Sequence, residues 1–217
     1  IELLKNRGLT DKMILSFFKQ ACANYSRYGL TTLMTQANNP DMFLIPDPSA
    51  LLTTLSDQTY IGAYVPHNLV LMSDIHRLKY AMYLNNDAYD ALKKMIDAMP
   101  DEIANDFYVK EAYTSFTDLQ YSNPNLAGKD ERQLGHTVSI ASKSIAYQEF
   151  ETSALSQWLE AHSYEYGFIL RYPKRMASST NHVYNAHYYR YVGKKNANKI
   201  YKENSCIEEY NQKEAAE

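Results

Sequence analysis

Apolar residues recur along this chain with two periods, one helical and one extended. From Asp87 to Met99 they fall at Ala88, Ala91, Leu92, Met95 and Ile96. That spacing gathers them on one face of a helix, with Asp87 placed to cap its start. The same i, i+3, i+4 pattern at Ile14, Phe17, Phe18, Ala21 and Cys22 predicts a helix that Thr10 or Asp11 could cap and Gly29 would end. A third run, Phe150 to Ser163, turns Phe150, Ala154, Leu155, Trp158 and Leu159 inward. Asn196 to Glu209 reads as a closing helix, and Asn211 to Glu217 as a frayed polar tail. The extended period belongs to Phe107–Ala112, to Gln133–Ile140, to Phe168–Tyr172 and to the aromatic run Tyr188–Gly193. Gly167 stops the helix before the third of these, and Pro173 ends the strand. Asn38-Asn-Pro40, Pro46-Asp-Pro48, Asn123-Pro-Asn125 and Gly128 signal loops, and Met176 to Asn181 a polar turn between the last two strands.

Composition narrows the class. At 217 residues the chain has room for one sizeable domain with a small appendage, and 45% hydrophobic against 22% charged content is globular. A net charge of −3 argues against nucleic acid as a partner. No run is long and apolar enough to span a membrane, and no signal peptide is visible. Ile1 opens inside an element, as in a chain trimmed of an export signal or anchor. The 20 tyrosines offer apolar area with a polar tip, which suits binding surfaces, although most such residues only pack. Cys22 and Cys206 form no CxxC or Cys/His cluster, which excludes a thiolate zinc site. Whether they pair or stay as buried thiols is open. There is no nucleophile elbow around Ser139, Ser142 and Ser144 beside His136, and no phosphate-binding glycine loop. Glu149 and Glu151 suit a helix start.

The tryptophan-bearing helix, then Tyr166-Gly-Phe-Ile-Leu-Arg-Tyr-Pro173, then a strand ending in Arg190-Tyr-Val-Gly193, resembles the C-terminal half of VanY-type D-Ala-D-Ala carboxypeptidases. These are zinc peptidases of the bacterial cell wall, in a wider group that includes the hedgehog signalling domain. Asp47-Pro-Ser-Ala-Leu-Leu52 and Tyr64-Val-Pro-His-Asn-Leu-Val70 are similar to the family's entry segment, a strand leading to "YxPxDLV". The asparagine-lysine pair that follows the strand there is replaced around Ser56 and Asp57. Tyr113-Thr-Ser115 stands where the family has its "SGYRS" turn. The resemblance runs roughly from Asp47 to Tyr210. It implies an α+β fold, a small mixed or antiparallel sheet flanked by helices. Residues 1–46 would be an N-terminal helical extension and 47–217 the VanY-like domain.

The family holds zinc with a histidine and an aspartate in "SxHQLGxAVDI" and a second histidine in "EPWHFRYVG", whose glutamate is the general base. Here the first motif reads Asp130-Glu-Arg-Gln-Leu-Gly-His-Thr-Val-Ser-Ile140 and the second Tyr184-Asn-Ala-His-Tyr-Tyr-Arg-Tyr-Val-Gly193. Aligned without gaps, the ligand positions hold Arg132, Ser139 and Tyr188. The base position holds Asn185, and the arginine of "YRS" becomes Thr114. A guanidinium stays protonated and offers no lone pair to a cation. Serine and tyrosine are poor neutral ligands, and asparagine takes no proton from water. His136 and His187 could rescue a metal only through a slip or bulge in each strand, and His187 should face away from Tyr188. Both histidines are expected to be ordinary polar surface residues. His67, His76, His162 and His182 show no ligand spacing.

The expectation is a catalytically inactive homologue with zinc absent. Its groove would be lined by Tyr113, Thr114, Ser115, Gln120, Arg132, Ser139, Asn185 and Tyr188. Arg132 suits a carboxylate through a bidentate pair. The partner would be a peptidoglycan stem peptide or an envelope protein. Two alternatives stand beside this: an active zinc D,D-carboxypeptidase, and a structural module whose groove is filled by its own bulky side chains.

Overall fold

The computed structural model describes residues 10, 12–14, 43–45, 47–56 and 59–216. In chain order its elements are β1 (Phe43–Leu44), β2 (Thr59–Tyr60), β3 (Leu69–Leu71), β4 (Tyr83–Asn85), α1 (Asn86–Asp97), α2 (Asp101–Asp106), β5 (Phe107–Glu111), α3 (Phe116–Ser122), β6 (Thr137–Ser142), α4 (Ala154–His162), β7 (Phe168–Tyr172), α5 (Ala177–Thr180), β8 (Asn185–Tyr191), α6 (Lys194–Glu203) and α7 (Ile207–Glu214). Single 3-10 turns fall between several of them. The chain divides into two compact units. One holds the chain up to Pro48, with Leu55–Val65 and Ser115–Gln133; the other holds the remainder.

The larger unit contains the four-stranded sheet, in the order β5-β6-β8-β7, with every neighbouring pair antiparallel. This is the expected α+β class. β6 is buried at all six positions, which its central place explains. Val138, Ile140, Phe107, Val109, Phe168 and Tyr189 from the sheet pack with the apolar face of α1 and with Leu155 and Leu159 of α4. The helix over 87–99 thus forms almost as its periodicity requires. Its cap is Asn85, whose side chain accepts from the Asp87 amide; Asp87 lies in the first turn, where its charge complements the helix N-terminus. Gly167 takes a left-handed conformation (φ 91°), and a Cβ there would lie 2.8 Å from the Tyr191 ring. Only glycine fits that turn into β7.

Several expected boundaries move. The tryptophan helix begins at Ala154, because Ser153 caps it by accepting from the Ser156 amide. Phe150 sits in a preceding 3-10 turn, Tyr147–Thr152. Ala154 is exposed rather than inward. The turn over 176–181 contains the short helix α5, ended by Asn181 at φ 53°. The closing helix is two helices, broken where Asn204 adopts φ 51°. The expected polar tail is ordered as the end of α7, where Asn211 donates to the Leu52 carbonyl and Lys213 pairs with Glu203. Residues 47–52 form turns rather than a strand. Tertiary partners, not local propensity, decide these places.

In the smaller unit β1 pairs with β2 in parallel, and Tyr60 packs with Phe116, Leu119 and Ala127. Of the N-terminal helix expected from residue 10, Lys12–Ile14 is described and helical, and Thr10 Oγ1 accepts from the Met13 amide as a cap does. Its remaining residues, Cys22 included, lie outside the described ones, as does Asp57. Cys206 is a buried free thiol whose burial raises its pKa.

Two arginines are fully buried beside the sheet. Arg171 makes a two-pronged pair with Glu208 of α7, at 2.5 and 3.0 Å, and Arg190 Nη2 donates to the carbonyls of Leu51 and Thr53 at 3.2 and 3.4 Å. Removing one partner from a buried pair strands the other charge. Glu208→Ala should therefore lower unfolding free energy by about 3–5 kcal/mol, measured by urea denaturation followed by circular dichroism. Arg171→Met with Glu208→Leu should recover most of that loss.

Candidate functional site: the three ligand positions of the motifs

Two of the three ligand positions lie in the sheet, and strand register brings them together. Ser139 of β6 stands opposite Tyr188 of β8, and on its other side opposite Glu111 of β5. The row Glu111–Ser139–Tyr188 therefore crosses three neighbouring strands. The Tyr188 hydroxyl donates to Glu111 Oε2 at 2.8 Å. Ser139 Oγ is buried and makes no hydrogen bond. Its side chain is one methylene and a hydroxyl, too short to join its neighbours' bond.

Asn185 sits opposite Tyr172, beyond a register shift between Leu170 and Tyr172. The shift breaks the two-residue alternation of β8, and Asn185 and Tyr188 are both half-buried. Asn185 Oδ1 accepts from the amide of His187, so its carbonyl is turned back on its own strand. The Tyr172 ring lies 6.1 Å from that of Tyr188. At the end of β5, the Tyr113 amide donates to the Tyr83 carbonyl and the Thr114 hydroxyl to the Ala112 carbonyl.

His187 faces away from Tyr188, as alternation requires. Its ring stacks between Tyr147 and Phe150, with centroids at 3.6 and 4.4 Å. Nδ1 lies 2.7 Å from the Ile140 carbonyl and Nε2 2.9 Å from that of Tyr147. The expectation of surface histidines is overturned: His187 is 7% exposed and His136 3%. Both side chains are buried in this unit, and the flat His187 ring is held by its aromatic neighbours. Ser142 and Ser144 are also structural. Their hydroxyls bond one another, and the Ser144 amide donates to Asp106.

The third ligand position and two groove candidates belong to the smaller unit. Arg132 grips the carboxylate of Asp130, with Nε at 3.0 and 3.2 Å and Nη2 at 2.6 Å. The bidentate geometry expected with a ligand is thus made with a carboxylate two residues away. Ser115 caps α3, accepting from the Asp118 amide and donating to its carboxylate. Gln120 is exposed on the same helix. Sequence reading gave Gln133 no role of its own. It is fully buried, donates to the carbonyls of Gly62 and Tyr64 at 2.6 and 3.0 Å, and accepts from the Gly128 amide.

Zinc does not fit these residues. Ser139 and Tyr188 bring neutral oxygens, and Arg132 brings a positive charge. Both His187 nitrogens are directed at carbonyl oxygens. Among the described residues no group of three or more His, Cys, Asp or Glu side chains could hold a metal ion.

Residues 108–194 match the family model of VanY, D-alanyl-D-alanine carboxypeptidase. YodJ of Bacillus subtilis (strain 168), whose name assigns it provisionally to the carboxypeptidases, is 29% identical over 191 residues, covering 78% of this chain and 70% of that protein. The stretch 108–194 is of the VanY type. A D-alanyl-D-alanine carboxypeptidase of Enterococcus faecalis is 34% identical over 124 residues, 56% of this chain and 44% of that protein. Among solved structures, the LdcB LD-carboxypeptidase superposes with a TM-score of 0.71 at 27% identity, over 79% of this chain and 90% of its own. VanYB, solved with D-alanine-D-alanine, shares the fold at a TM-score of 0.59 and 24% identity, over 75% of this chain and 97% of its own. Ser139 and Tyr188 pair across β6 and β8. Two positions read from separate motifs prove to be cross-strand neighbours.

Two outcomes follow. Burial lowers the His187 pKa from 6.5, outweighing the two carbonyls that favour the cation. The unfolded chain then binds the proton first, so His187 costs nothing above about pH 6.5 and destabilises the fold as pH falls through that value toward its lower folded pKa. The melting temperature should fall less steeply between about pH 7 and pH 5 in His187→Gln than in the wild type. Ser139→Ala removes a buried hydroxyl that has no partner, and should be neutral or stabilising by up to about 1 kcal/mol in urea unfolding.

Proposed function

We propose that this VanY-type chain has lost peptidase chemistry and acts as a non-catalytic binding module of the bacterial cell envelope. Its ligand would be a peptidoglycan stem peptide or an envelope protein. The observation that carries the reading is the donor chemistry at the aligned positions: a guanidinium, a hydroxyl and a phenol where a zinc site needs imidazoles and a carboxylate. Water activation by the family route needs a Lewis acid and a base. Arg132, Ser139 and Tyr188 supply no ligand set for the first, and Asn185 cannot act as the second. The relatives give the ligand class: the LdcB structure concerns peptidoglycan recognition, and VanYB was solved with D-alanine-D-alanine.

A second reading has its own support. Tyr188 is already bonded to Glu111, and Arg132 to Asp130. Polar groups satisfied within the protein gain less from a ligand, which favours a structural module whose groove is occupied by its own side chains.

Elemental analysis of protein purified in zinc-supplemented buffer without chelator should find well under one zinc per chain. No D-alanine should be released from a pentapeptide ending in D-Ala-D-Ala. Near-stoichiometric zinc with D-alanine release would overturn the proposal in favour of an active carboxypeptidase. The same peptide, titrated into isotope-labelled protein, should shift the amides of Thr114, Ser139 and Tyr188. Unchanged spectra at saturating peptide would leave the structural module.

A further inference from the structure

β7 forms one edge of the sheet, and a groove of 1020 Å³ runs beside it. The groove lies wholly within the larger unit. Its size is at the upper end for small-molecule sites, enough for a ligand of several rings. Three tyrosines line it: Tyr164, Tyr184 and Tyr201. Tyr164 and Tyr201 stack at 3.7 Å with their planes 10° apart, and Tyr201 remains 47% exposed. One face of Tyr201 is covered by its partner, so its exposed area is the opposite face and the edge. The function proposed above uses none of these residues.

The polar groups around the rings are mixed in sign. Lys174 is held by Glu151 and lies 4.9 Å above the Tyr184 ring; Arg175 is held by Asn204. Glu160 and Lys202, also on the lining, are exposed. Two carboxylates (Glu151, Glu160) against three cations (Lys174, Arg175, Lys202) leave a net charge of +1. A polyanion would need a cluster of unengaged cations, and here two of the three are already held. Ser205 also lines the groove, and its hydroxyl is buried with no hydrogen-bond partner. A flat aromatic face beside an exposed carboxylate and an exposed ammonium matches a ligand with C–H faces and many hydroxyl groups and little charge. A saccharide chain has that chemistry. Its ring faces lie on tyrosine, its hydroxyls donate to Glu160 and accept from Lys202, and no large charge needs neutralising.

We infer that the groove beside β7 is a saccharide-binding site, and that it takes the glycan part of the wall polymer. The choice of polymer rests on the envelope reading above; the saccharide chemistry rests on the groove alone. The site is separate from the row Glu111–Ser139–Tyr188, so one chain would grip glycan and peptide at different places.

The test uses the full chain, isotope-labelled, and a tetramer of N-acetylglucosamine that carries no peptide. Saturable shifts are expected at Glu160, Tyr164, Tyr201 and Ser205. Tyr201→Ala and Glu160→Gln, both at exposed positions, should each weaken binding about threefold to tenfold. Absence of saturable shifts, or equal affinity in both variants, would overturn the inference. A parallel titration with the peptide ending in D-Ala-D-Ala separates the two readings. Saccharide shifts without peptide shifts support the groove and sink stem-peptide binding. Peptide shifts at Thr114 and Tyr188 with none from the saccharide do the reverse.

Discussion

The pairing of β6 with β8 is the constraint on which the larger unit depends. Both strands are central, and β6 has no exposed position at all. A slip of one residue would move every side chain of a strand to the opposite face. Arg190 would leave the carbonyls of Leu51 and Thr53, Tyr189 would leave the core, and His187 would leave its place between Tyr147 and Phe150. Register is held at the ends as well. Gly135, at φ 76°, has room for no Cβ, which would lie 2.9 Å from Pro66. The Tyr191 amide closes the end of the ladder on the His136 carbonyl.

That constraint explains why the strands of the sheet were legible in the sequence. The anchors Gln133-Leu-Gly135 and Arg190-Tyr-Val-Gly193 belong to the scaffold. Gln133 ties together Gly62, Tyr64 and Gly128, and Arg190 holds the segment around Leu51. Residues with such duties fix the backbone on either side of the positions between them. What the sequence could not give was the new partners. Glu111 lies 77 positions from Tyr188, and nothing local to either residue announces the bond. Asp130 is only two residues from Arg132, yet its role was also missed, because the arginine was considered only against an outside carboxylate.

Element boundaries divide in the same way. The strand after Gly167 was readable because one glycine and one proline punctuate it. The break between α6 and α7 was not, since asparagine at φ 51° looks like any polar helix residue until its neighbours are placed. The order of α7 comes from Arg171, 37 positions away from Glu208, and from the buried Ile207 and Tyr210. Tertiary contacts of this length leave no periodic trace.

Trp158 has a consequence for how this protein can be watched. It is the single tryptophan, half-buried on α4, 5.0 Å from His162 and 6.3 Å from Tyr166. Its emission therefore senses the packing of α4 in the sheet-bearing unit and carries no signal of its own from the other. A chain of two compact units need not unfold in one step. A fluorescence midpoint is the midpoint of one unit, and its distance from the midpoint of a whole-chain signal measures how far the two melt as one.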